Sequence, residues 1–107
     1  MSMGIDSGPR AEAGKLGYRI RYVEHKRISK EIACYNVTYK GKQIAPKVAL
    51  EKLHIPMNEI WISKKYKKHE GIILFHELKE IRFRRRGFSE RRAHQMAKKA
   101  ERSFMPD

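Results

Sequence analysis

The sequence predicts an α+β domain, with a small sheet in the first half and a pair of helices in the second. Two patterns carry that expectation. Tyr18, Ile20 and Tyr22 alternate with Arg19 and Arg21, and Tyr35, Val37 and Tyr39 share a face, which is the period of half-buried strands. Farther on, apolar residues recur at helical spacing, first at Ile73, Leu74, Leu78 and Ile81, then at Ala93, Met96, Ala97, Ala100 and Phe104. At 107 residues and without internal repeats, the chain is long enough for one modest core.

Taken in order, residues 1–16 are rich in Gly, Ser and Ala without a period and read as a mobile leader, leaving 17–107 as a single domain. The first strand is centred on residues 18–22 and the second spans 32–39. Lys40-Gly41-Lys42 then supplies a turn. Residues 45–53 fit a short helix that tolerates Pro46 in its first turn and is stopped by Pro56. Glu59-Ile60-Trp61-Ile62-Ser63 is a third strand, and the basic run 64–69 leads into the first long helix. Gly87 is placed to end that helix, and Ser89 to cap the last one, which runs to about Phe104. The resulting order is β-β-α-β-α-α.

Composition narrows the function classes. The net charge is +13, from 25 basic and 12 acidic residues. Abundant Lys, Arg, Glu and Ile with scarce Asn and Gln resemble the residue usage of heat-adapted proteins. Heat adaptation favours balanced ion pairs, however, and this excess is positive, so a polyanionic partner is expected. Cys34 is the lone cysteine, which excludes an intrachain disulfide and a cysteine-type zinc site, and its apolar neighbours point to a buried, inert thiol. No apolar run is of membrane-spanning length and no signal-type segment is evident, so a cytoplasmic protein with no membrane role is expected.

The chemistry concentrates in the two long helices. His76-Glu77-Leu78-Lys79-Glu80 is followed by Ala93-His94 and by Glu101. On a helical wheel His76, Glu77 and Glu80 lie at the edge of the apolar arc, while Lys79, Arg82 and Arg86 lie on the far side. Carboxylates on a dry edge are costly unless paired, protonated or metal-bound. The structural explanation is pairing with one of the many arginines. On the last helix His94 and Glu101 are two turns apart on nearly one line, and Ala93, Ala97 and Ala100 permit a close approach to the first helix. The short link between the helices suits an antiparallel pair, which would bring His94 towards His76 and Glu80.

This pattern, H-E-L-x-E, a short Gly-containing link, then A-H-x-x-A-x-x-x-E, resembles the zincin-like metallopeptidases, more narrowly small zincin-like proteins of phage and mobile-element type. The resemblance covers about 30–45 residues around 73–101; the first half of the chain has no part in it. It implies a divalent metal, zinc before others, with His76, Glu80 and His94 as ligands and Glu77 as the base that activates water. Glu101 would be a fourth ligand or an acceptor that orients His94. It also implies a short edge strand before the site helix, a role that residues 59–63 fit. The familiar zincin signature has His where this chain has Glu80, a harder donor that lets Mn²⁺ or Fe²⁺ compete.

Other candidates are weaker. His25, His54 and His69 stand alone, with His69 the reserve ligand. Trp61 and Tyr66 could stack on bases beside Lys64, Lys65, Lys67 and Lys68, although core packing suits Trp61 better. Arg82, Arg84, Arg85, Arg86, Arg91 and Arg92 form a basic collar at the helix link, a candidate phosphate-binding patch or a solvated helix end. Two functions follow as expectations. One is a metal-dependent hydrolase, a peptidase acting on protein or peptide. The other is a non-enzymatic DNA- or RNA-binding protein with structural His and Glu residues.

Overall fold

The structure is a computed structural model that describes residues 8–28 and 31–104. The α+β expectation holds. Helix α1 (Pro9–Lys15) precedes strands β1 (Arg19–Val23), β2 (Ala33–Tyr39), β3 (Lys42–Ile44) and β4 (Glu59–Ser63). The long helices α2 (Glu70–Arg85) and α3 (Glu90–Phe104) follow. Short helical turns at His25–Ile28, Ala49–Leu53 and Lys64–His69 fill the connections.

The four strands form one sheet in the order β1-β4-β2-β3, with β1 parallel to β4 and the other two pairs antiparallel. The strand before the site helix is therefore interior, not an edge. Every residue of β4 is buried, as a strand covered on both faces requires. On one face Tyr35, Val37, Ile60 and Ile62 pack under Leu74, Leu78 and Ile81 of α2. On the other, Cys34 and Trp61 pack with Val23, Ile28, Ala49 and Ile55. Trp61 is thus core, as its place in the strand suggested.

Three local features depart from the sequence expectation. Pro9–Lys15 is a helix, not part of a mobile leader; Ala13 is fully buried in the core beneath α2, and Glu12 pairs with Arg82. Residues 1–7, the rest of the expected leader, lie outside the described residues. β3 is an additional strand. It follows a two-residue turn in which Lys40 and Gly41 both take positive φ (49° and 80°), the backbone that a tight hairpin requires. Within 45–53, regular helix gives way to a wider π turn over Ala49–Leu53. Among the described residues no helix is long and apolar enough to cross a membrane.

The link between α2 and α3 fixes the site. Gly87, at φ 106°, donates its N–H to the Arg84 carbonyl at 2.9 Å, and Phe88 donates to the Phe83 carbonyl at 3.2 Å. This is the paired closure of a Schellman cap, and the Phe83 and Phe88 rings meet edge-on at 6.1 Å to complete it. Ser89 Oγ then accepts the Arg92 N–H at 3.2 Å and caps α3. The chain reverses within four residues, and fully buried Ala93 and Ala97 let α3 lie close against α2.

Candidate metal centre

His76 and Glu80 are one turn apart on α2, so their side chains project to the same place. α3 brings His94 to meet them. His76 Nε2 lies 3.2 Å from Glu80 Oε1 and 3.1 Å from His94 Nδ1, and His94 Nδ1 lies 3.1 Å from the same Glu80 oxygen. Three donor atoms from three residues thus form a near-equilateral triangle, with His76 and Glu80 buried and His94 at its solvent side. Among the described residues this is the one group of His, Cys, Asp and Glu donors so arranged.

Protons alone satisfy such a triangle poorly. If both histidine nitrogens carry a proton aimed at Glu80, two donors face each other across the remaining edge; if one loses its proton, one of the Glu80 contacts loses its bond. A cation would take all three lone pairs together. Atoms held about 2.1 Å from a tetrahedral ion stand about 3.4 Å apart, close to the edges seen here. The residues present therefore fit a divalent metal.

The surroundings support the same arrangement. His76 Nδ1 makes a short contact with Glu101 Oε2. A proton on Nδ1 donated to that carboxylate leaves Nε2 with its lone pair towards the triangle, the tautomer ligation needs. Glu101 thus orients His76, not His94, and stands outside the donor group. The Tyr35 hydroxyl, reaching up from β2, donates to Glu80 Oε2 at 2.7 Å. That bond occupies Oε2, while Oε1 is the oxygen that belongs to the triangle.

Glu77 adjoins His76 but is not one of the three donors; it borders two clefts beside the triangle. The more apolar of the two, of about 470 Å³, has Ile32, Tyr66, Ile72, Ile73 and Lys98 in its wall. His69 also lines it but is exposed and is not among the triangle's donors. No arginine or lysine of the described residues lies within ion-pair distance of Glu77 or Glu80, so the expected structural pairing is not what holds them. Burial, then the charge of Glu80, pushes the Glu77 carboxyl up to about 8. Burial would raise Glu80 too, but hydrogen bonds from His76, Tyr35 and His94 outweigh it and hold that carboxyl below its usual range. Burial pulls His76 down, yet its bonds to Glu80 and Glu101 and the Glu77 charge prevail and lift it to about 9. These shifts favour the protonated forms of His76 and Glu77 and the ionised form of Glu80.

The collar is only partly free. Arg82 is paired with Glu12, Arg85 donates to the Lys40 carbonyl at 3.3 Å, and the Arg86 guanidinium lies 6.0 Å from the Phe83 ring centre. Arg84 is half-buried, while Arg91 and Arg92 are exposed. Nothing in the sequence alone marks Tyr35 as a site residue. Its signal in the sequence was a polar tip on an otherwise apolar strand face, which decides nothing until the strand is registered under α2. No protein-family model, curated protein or solved structure matches this chain.

Proposed function

We propose that this protein is a divalent-metal-dependent hydrolase of the cytoplasm, zincin-like in its site, with peptide bonds as its substrate. The observation that carries the proposal is the convergence of His76 Nε2, His94 Nδ1 and Glu80 Oε1 beside a buried carboxylate that is not one of the three. Zinc suits two imidazoles and a carboxylate, with Mn²⁺ or Fe²⁺ as competitors.

The bound ion would supply Lewis acidity and a water acidified to a pKa of about 7. The chain supplies the rest. His76, His94 and Glu80 would hold the ion, and Glu101 and Tyr35 fix the orientation of His76 and Glu80. Glu77, offset by about 100° from His76 around the helix, is placed to take a proton from the attacking water and return it to the leaving group. Ile32, Ile72 and Ile73 give the adjoining cleft an apolar wall that would suit an apolar substrate side chain. The test is the Glu77→Gln variant, assayed for metal and for cleavage of an unfolded protein such as casein. It should keep fold and metal and lose hydrolysis. Unchanged hydrolysis would remove Glu77 from the chemistry, and no hydrolysis by the unaltered, metal-loaded protein would leave the centre structural.

A further inference from the structure

A second basic surface lies at the other end of α2 from the collar. The turns His25–Ile28 and Lys64–His69 sit together at the carboxyl ends of β1 and β4. His25 joins them, with Nδ1 2.9 Å from Ser63 Oγ and its ring 5.8 Å from that of Tyr66. Arg19 and Arg21 of β1, an edge strand, extend the surface; Lys26, Arg27, Lys65, Lys67 and Lys68 are its exposed centre.

These cations are not balanced. Lys64 pairs with Glu24 at 3.0 Å, and Arg19 and Arg21 share buried Glu59 at 3.9 and 3.7 Å. Lys26, Arg27, Lys65, Lys67 and Lys68 have no carboxylate within ion-pair distance among the described residues. A heat-adapted surface would place acids beside them. Instead aromatic rings are interleaved, with Lys67 Nζ 5.0 Å from the Tyr22 ring centre and Lys65 Nζ 5.7 Å from that of Tyr66. Tyr22 and Tyr66 are both half-buried, neither withdrawn into the core. The collar differs in that Arg82 is paired with Glu12 and Arg85 with the Lys40 carbonyl.

We infer that this surface binds single-stranded nucleic acid, with Lys65, Lys67 and Lys68 on phosphates and Tyr66 as a platform for a base. Unpaired cations along an edge supply attraction to the backbone, and partly exposed rings between them supply stacking without reading sequence. A duplex would present phosphates but no free base faces. Tyr66 and His69 also line the cleft over the metal centre, so a bound strand would pass its mouth. The inference does not depend on the metal.

The test is fluorescence anisotropy with labelled oligothymidylate and oligouridylate of about 20 nucleotides, which exceeds the usual span of one small binding site. The whole protein should bind both, with an affinity that falls steeply with salt. Replacing Lys65, Lys67 and Lys68 together by Gln should lower the log–log salt slope by about 2. A charge-matched control, Arg86, Arg91 and Arg92 to Gln, should change it much less. Tyr66→Ala should weaken binding about tenfold, and Tyr66→Phe, which keeps the ring, should not. All these positions are at the surface, and circular dichroism checks that the fold survives. Equal loss in both triple variants would overturn the inference in favour of undirected charge. Tighter binding to a duplex with no response to Tyr66→Ala would overturn it as a single-strand site. Binding only to heparin or to anionic lipid vesicles would overturn the nucleic-acid assignment itself.

Discussion

Glu59 lies on one face of the sheet and the pair Glu77 and Glu80 on the other, and the three are about equally buried, between 7 and 8 % exposed. Their surroundings differ in kind. Glu59 accepts the Trp61 indole N–H at 2.9 Å, and two arginines from the neighbouring strand stand over it. Its charge is answered by cations of the fold. Glu80 is met by two histidines and a tyrosine, and Glu77 by neither Arg nor Lys among the described residues. In a chain of net charge +13 with cations to spare, this is not a shortage of partners. Burial alone does not mark a functional carboxylate. The contrast is in the partners, cations of the fold around Glu59 and metal-capable imidazoles around Glu80.

The largest effect that would break this contrast is loss of the donors. His76→Ala, His94→Ala and Glu80→Gln should each abolish stoichiometric binding of zinc, measured by elemental analysis after dialysis. Glu59→Gln should leave metal content unchanged and cost about 1 kcal/mol of stability, since its arginines are exposed enough to be resolvated. Metal lost equally in Glu59→Gln would erase the distinction.

A smaller effect should come from the orienting groups. Tyr35→Phe frees Glu80 Oε2, and Glu101→Gln weakens the hold on His76 Nδ1. Each should reduce zinc affinity by about 10–100-fold while leaving one site per chain. Competition titration with a chromogenic chelator reads this directly. Unchanged affinity in both would make these contacts incidental.

These expectations show what the sequence made legible. The spacing of His76, Glu80 and His94 placed all three donors, because positions on a helix and a short capped link are local properties. Gly87 and Ser89 marked that link for the same reason. Tyr35 and the true partner of Glu101 were not legible, because each depends on how a strand or a helix is registered against its neighbour. Strand pairing was hidden likewise. The run from Glu59 to Ser63 announces a buried strand but not that it lies between β1 and β2. α1 escaped notice because Ala13 has no apolar period around it and is held by docking under α2, not by its own propensity.

A subtler test uses pH on the metal-free protein. His76 binds its proton more tightly when folded, with its pKa lifted from 6.5 to about 9, so its contribution is full below 6.5 and lost as pH rises through 9. Glu77 acts in the same direction, raised from 4.5 to about 8, and disfavours the fold as it ionises. Glu80 acts oppositely, with stability lost as pH falls below its usual range. The metal-free protein should therefore lose melting temperature, by about 5 °C or more, between about pH 6 and pH 9. Saturating zinc should remove that decline, because a cation then takes the place of the protons. A metal-free protein that gained stability over this interval would mean that the cluster does not hold protons as described.

The most direct measurement is calorimetric titration of zinc into two isosteric variants, Glu77→Gln and Glu80→Gln, at one pH. The geometry predicts about one zinc bound to Glu77→Gln, with affinity near that of the unaltered chain, and none bound stoichiometrically to Glu80→Gln. Zinc retained by Glu80→Gln and lost by Glu77→Gln would contradict the assignment of donor and base on α2.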